Sequence, residues 1–135
     1  MILLTEISPF EMTKEDHYWF AKGCIETNWR KMDPLEHLTR CTNFECTLLR
    51  VSGDAQGIMT GFSDDGRFII NLMAGEGFMK HFPAIHEKLL AVAAGRGCKK
   101  LAGYVERPGL KRFYDRFWTR ARPVMTLYEE NVYEQ

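Results

Sequence analysis

Apolar positions along this chain shift between strand and helix spacing, and the shifts mark out its elements. Ile2–Ile7 is short and apolar enough for a first strand, which Ser8-Pro9 breaks. Thr13 offers a cap, with acids in the following turn, for a helix carrying Tyr18, Trp19, Ala21, Ile25 and Trp29 towards the core. Asp33-Pro34 reads as the cap and first position of a second helix running through Leu35 and Leu38. From Phe44 the pattern becomes strand-like. Glu45–Val51, Gly57–Phe62 and Arg67–Met73 form an antiparallel meander, with Ser52-Gly53-Asp54 and Asp64-Asp65-Gly66 as its turns. Pro83 then opens a helix striped by Ile85, Leu89, Val92 and Ala93, and Gly95-Arg96-Gly97 ends it. Leu101–Val105 is the next strand. Arg107-Pro108-Gly109 turns into a helix with Leu110, Phe113, Tyr114, Phe117 and Trp118 at i, i+3, i+4, i+7 and i+8. Pro123–Tyr128 is the last strand. The predicted order is β-α-α-β-β-β-α-β-α-β, an α/β (α+β) mixed sheet with helices against its faces.

Composition narrows the class without naming a function. With 135 residues, 45% hydrophobic and 27% charged, the chain reads as one globular domain spanning 1–135 rather than a disordered segment. Eighteen basic and 18 acidic residues cancel. They are unevenly placed, because Arg96–Arg122 holds nine Lys or Arg against only Glu106 and Asp115. That stretch suits a solvated face, attraction of an anion, or a nucleic-acid contact. The last is disfavoured because Phe113 and Trp118 belong to the apolar stripe and are not offered for base stacking. Four irregularly spaced cysteines read as reduced thiols, no apolar run approaches the ~20 residues of a membrane span, and Met1–Glu6 lacks the pattern of a signal peptide. The expected location is cytoplasmic, with no membrane partner.

The second half, FIINLMAGEGFMKHFPAIHEKLLAVAAGRGCKKLAGYVERPGLKRFYDRFW, resembles the GNAT acyltransferases in its succession of central strand, phosphate loop, helix, splayed strand and helix. AVAAGRGCKKLAGYVE is similar to the stretch where the cofactor helix ends at a glycine and the next strand begins. RPGLKRFYDRFW is similar to the following helix, in which the family often carries a tyrosine as general acid, and Tyr114 is the match. The resemblance implies a GNAT fold, acetyl-CoA as cofactor and an N-acyltransferase acting on an amine acceptor. Short GNAT-like proteins of tailed phages are also similar, one of them an internal virion protein. They imply an alternative: a non-enzymatic structural or host-interaction module, located in the host cytoplasm or the virion, with a phage or host protein as partner.

The resemblance also places the site. The family's loop is Arg/Gln-x-x-Gly-x-Gly/Ala opening into a helix, where glycines let backbone N–H groups approach a pyrophosphate. In this chain the aligned stretch, Phe78–Pro83, contains no glycine; Gly75 and Gly77 lie just upstream and Lys80 is the nearest firm positive charge. The asparagine common after the splayed strand is replaced by Arg107 or Pro108, and Arg116-Phe117-Trp118 lacks the family's glycine. Candidate cofactor-binding residues are Met73, Gly75, Gly77, Phe78, Met79, Lys80, His81 and Phe82. Tyr114 is the candidate acid for the departing thiolate, and Glu76 the candidate base for the amine if burial raises its pKa. A plain strand-to-helix turn at Gly75-Glu76-Gly77 and simple packing of Tyr114 are the competing explanations. His37-x3-Cys41-x4-Cys46 offers soft ligands but no close CxxC or HExxH pair, so no metal site is expected.

Overall fold

The computed structural model describes residues 1–27, 32–104, 122–124 and 127–133. Its local choices follow the chain's own chemistry. Helix α1 (Lys14–Lys22) starts with a reciprocal box: Asp16 N–H donates to Thr13 Oγ1 at 3.1 Å, and Thr13 N–H donates to Asp16 Oδ2 at 2.9 Å. Helix α2 (Pro34–Thr42) is capped by Asp33, whose Oδ1 accepts from Leu35 N–H. Between β3 (Gln56–Asp64) and β4 (Arg67–Glu76), Asp65 and Gly66 both have positive φ, 50° and 74°. That is the two-residue type I′ geometry, whose twist matches the strands it joins.

Among the described residues, β1 (Ile2–Ile7), β2 (Thr47–Gly53), β3, β4, β5 (Lys100–Tyr104), β6 (Arg122–Val124) and β7 (Leu127–Asn131) make one sheet in the order 1-2-3-4-5-7-6. All neighbours pair antiparallel except β4 and β5, which run parallel and are joined through α3 (Phe82–Gly95). This mixed sheet with helices on both faces is the predicted class. The predicted end of the chain needs correction: instead of one strand at Pro123–Tyr128, two antiparallel strands, β6 and β7, occupy it. Met125-Thr126 has no glycine, proline or Asx residue to mark a reversal, and Glu129-Glu130 reads as solvent-facing. The predicted helix around Leu110–Trp118 lies outside the described residues.

The sheet separates two cores. On one face Leu49, Val51, Met59, Phe68, Ile70 and Leu101 pack under Phe82, Ile85, Leu89 and Ala93 of α3. On the other, Leu48, Ile58, Leu72 and Ala74 pack against Trp19 and Phe20 of α1, Cys24, and Cys41 of α2. Strand β4 faces both cores, and at a bulge it switches which of its alternating positions face each one. Thr60 opposes Leu72 while Gly61 opposes Ile70, so Asn71 is the extra residue. Before it, the even positions Phe68 and Ile70 face α3. After it, Met73 faces α3 and the even positions Leu72 and Ala74 face α1.

Helix α1 is rotated from its predicted stripe. Tyr18 and Ile25 are exposed, whereas Asp16, Trp19 and Phe20 are buried. Arg50 of β2 draws Asp16 inward through three bonds from Nε and Nη2, at 2.7–3.2 Å. A π-helical turn at Gly23–Thr27 then widens the spacing on which Ile25 was placed. Trp29 lies outside the described residues. Leu35 is likewise exposed, and α2 turns His37 and Cys41 inward instead.

Candidate functional site

The feature that sets this sheet apart is where its parallel pair stops. β4 and β5 are in register from Arg67↔Lys100 to Ile70↔Gly103. Beyond the bulge at Asn71, β4 continues to Glu76 paired only with β3, while Tyr104 of β5 pairs with Leu127 of β7. Among the described residues, the outer edge of β4 from Asn71 to Glu76 therefore has no strand beside it. Its outward N–H and C=O groups are those a strand edge offers to an extended ligand. The opening lies at the carboxyl end of the parallel strands, with the N-terminus of α3 just beyond it.

The turn into that helix explains its glycines one by one. Gly75 is still in β4, directly opposite Gly57 of β3. A Cβ on Gly75 would stand 2.8 Å from Cζ of Phe78, and one on Gly57 2.6 Å from the same atom. The Phe78 ring thus lies across both glycines, which accounts for Gly75 without a phosphate. Gly77 has φ +80°, and its carbonyl accepts from His81 N–H at 3.0 Å, so the reversal itself needs this glycine. Helix α3 has no side-chain cap bond at His81 and no acid in its first turn, and Pro83 sits among its first residues. An anion placed there would meet helix N–H groups, with no carboxylate on the helix's own first turn.

Of the proposed cofactor contacts, Met73, Phe78 and Phe82 gather on the α3 face of the sheet, and Phe82 is buried with its ring stacked on His86. Met79 and Lys80 are exposed. Glu76 is exposed too, so the burial its role as a base called for is not found among the described residues. Tyr114 lies outside them, as does most of the basic stretch. Of that stretch, Arg96 is paired with Glu6 and Lys100 with Glu129.

Sequence reasoning missed a group of buried acids on β7. Glu129 accepts from Arg67 Nε at 2.5 Å and from Lys100 Nζ at 3.2 Å. Its burial alone would raise its pKa, but hydrogen bonds from Arg67 and Lys100 outweigh that and hold the carboxyl below its ordinary value. Glu130, on the opposite face, lies 2.7 Å from Nε2 of His86 on α3. These contacts clamp β7 to the β4–β5 pair and to α3, with Arg67 and Lys100 at the end of the pair opposite to where β4 and β5 part.

No protein-family model and no curated sequence matches the chain. Solved structures do match its shape. An aminoglycoside 6′-acetyltransferase type Ii superposes with a TM-score of 0.70 at 9% identity, covering 98% of this chain and 99% of that one. The fold is that of the GNAT acetyltransferases. The ribosomal-protein-S18-alanine N-acetyltransferase of Escherichia coli gives 0.64 at 8% identity over 100% and 96% of the two chains. A GNAT-family acetyltransferase from Staphylococcus aureus Mu50 gives 0.60 at 10% over 98% and 99%. The GNAT likeness covers 98–100% of the chain in these three comparisons, and the parallel β4–β5 pair on which the expected fold depended is present in this chain. Among the described residues, no helix is long and apolar enough to cross a membrane.

Proposed function

We propose that the protein is a GNAT-type N-acyltransferase that moves an acetyl group from acetyl-CoA to an amine. The observation that carries this reading is the parting of β4 from β5 after Ile70 and Gly103, in a chain whose fold superposes on N-acetyltransferases over nearly its whole length. The residues fit the cofactor in two respects. The β4 edge from Asn71 to Glu76 suits an extended amide-bearing arm, and the uncapped, acid-free start of α3 beside Lys80 suits a pyrophosphate. Bound acetyl-CoA would supply a thioester carbon open to attack by an amine. In this reading Tyr114 protonates the departing thiolate. Glu76, exposed at the end of the same strand edge, takes the amine's proton through water.

One observation favours the second reading, a phage virion or host-interaction module that does not transfer acyl groups. The stretch Phe78–Pro83 has no glycine, and Gly75 is covered by the Phe78 ring. Ligand binding separates the two. If acetyl-CoA at 1 mM exceeds its dissociation constant about 100-fold, it should stabilise the native state by roughly 2.7 kcal/mol and raise the melting temperature by several degrees. Calorimetry with coenzyme A should show the matching heat. No heat and no thermal shift at millimolar ligand would leave only the non-catalytic module. With binding established, Tyr114→Phe should retain the thermal shift yet lose about 100-fold in turnover. An unchanged rate would remove Tyr114 from the mechanism.

A further inference from the structure

Three buried cysteines meet where α2 returns to the sheet. Cys24 from the π-helical turn, Cys41 from the last turn of α2 and Cys46 just before β2 share the core beneath α1. Backbone bonds fold the chain between the last two into a tight staple. Asn43 N–H donates to Thr39 C=O at 2.9 Å and Phe44 N–H to Cys41 C=O at 3.2 Å; Glu45 and Cys46 both donate to Arg40 C=O, at 2.9 and 3.4 Å. This returns Cys46 to the helix turn that carries Cys41, and both free thiols lie buried in the same core cluster. The staple is strained and thinly covered. Phe44 holds φ +62°, a region costly for a bulky residue, and its side chain is 94% exposed. Residues 42–45 are all exposed, so a local opening of this loop uncovers the pair to a small solute while the rest of the core stays closed.

The chemistry of the two thiols is unequal. The neighbouring Cys41 thiol first, and the Arg40 charge after it, lower the Cys46 thiol below its ordinary value against burial and the Glu45 charge. Cys41 is pushed up by its neighbour Cys46 and by burial, and Cys24 up to about 11, mainly by burial. Deprotonation is therefore easier at Cys46 than at Cys41 or Cys24.

We infer that Cys41 and Cys46 form an oxidisable pair that a hydroperoxide closes into an intramolecular disulfide. The Cys46 thiolate attacks the peroxide oxygen and breaks the O–O bond, giving a Cys46 sulfenic acid and releasing an alcohol, or water when the oxidant is hydrogen peroxide. Cys41 sulfur then attacks the sulfenic sulfur, its proton leaving with the displaced hydroxyl as water. Two thiols are oxidised by two electrons and one peroxide is reduced. The bond would tie the end of α2 to the start of β2, independently of any acyl transfer.

The test uses the whole chain, folded, at neutral pH with one equivalent of hydrogen peroxide, followed by denaturation, alkylation with iodoacetamide and peptide mapping by mass spectrometry. The expected product carries two fewer alkyl groups than the reduced protein, has Cys41 and Cys46 in one cross-linked peptide, and regains both thiols with dithiothreitol. Cys41→Ser should stop at a Cys46 sulfenic acid that dimedone captures. A cross-link through Cys24 or Cys98, or full alkylation of all cysteines after peroxide, would overturn the inference on wild-type protein alone. Faster dimedone capture at Cys41 in Cys46→Ser than at Cys46 in Cys41→Ser would overturn the assigned roles.

Discussion

Phe68→Ala is expected to lower the free energy of unfolding by about 3–5 kcal/mol, the range for emptying an aromatic site in a packed core. Phe68 is 1% exposed near the start of β4 and belongs to the core that α3 covers. Its ring also occupies the space above Gly61: a Cβ there would lie 2.5 Å from the ring's Cζ. With a glycine beneath the ring, that side of the void has no side chain to refill it, so the loss should sit near the top of the range. Since a domain this size has about 5–15 kcal/mol in all, the variant would stand close to unfolding. Urea titration would show it as a lower midpoint with an unchanged slope. Leu35→Ala, at a 74% exposed position of α2, should shift stability by about 0.5 kcal/mol or less. Equal losses in the two variants would contradict the assigned burial.

The second large effect is a loss of stability in mild acid, centred on His37. This side chain is 2% exposed, stacked on Phe20 at 5.3 Å, and shares a 2.9 Å hydrogen bond between Nε2 and the Thr60 hydroxyl. Burial first, and the nearby Arg40 charge second, push its pKa down to about 4 from 6.5. The unfolded chain therefore binds a proton that the folded protein refuses throughout that window, and stability rises with pH across it. The contribution is complete above pH 6.5, erodes below it, and is gone near pH 4, a span worth roughly 3 kcal/mol. The lowered carboxylates Asp16 and Glu129 act lower on the scale, below their ordinary values of 3.8 and 4.5. Denaturant midpoints measured from pH 7 to 5 should fall for the wild type and stay nearly level for His37→Gln. An equal slope in both would remove His37 as the cause.

Local features were legible from residues alone, because their physics is complete within a few positions. Thr13 and Asp33 cap the helices they precede, and Asp65-Gly66 turns the hairpin it interrupts. The strand–helix–strand succession from Arg67 to Tyr104 yields the parallel pair for the same reason, since only a crossover of that length can join such strands. What stayed hidden depends on partners far along the chain. Asp16 and Arg50 are 34 residues apart, Arg67 and Glu129 62, His86 and Glu130 44. Each, taken singly, reads as a surface charge, and only the fold reveals it as a buried clamp. Gly75 invited a phosphate reading because its actual neighbours, Gly57 across the sheet and the Phe78 ring, cannot be inferred from a glycine doublet. The bulge at Asn71 was invisible because an extra residue is defined only against the strand opposite.

That bulge makes chain length, rather than residue identity, the tightest constraint on the middle of this molecule. Asn71 is half-buried and belongs to neither core, so a polar or small replacement has little to disturb. Removing the residue altogether is another matter. Every side chain from Leu72 to Glu76 would exchange faces, sending Leu72 and Ala74 under α3 and Met73 towards α1. The Gly57–Gly75 contact that seats Phe78 would be lost in the same step. In a library of variants, then, position 71 should accept many letters and no gap.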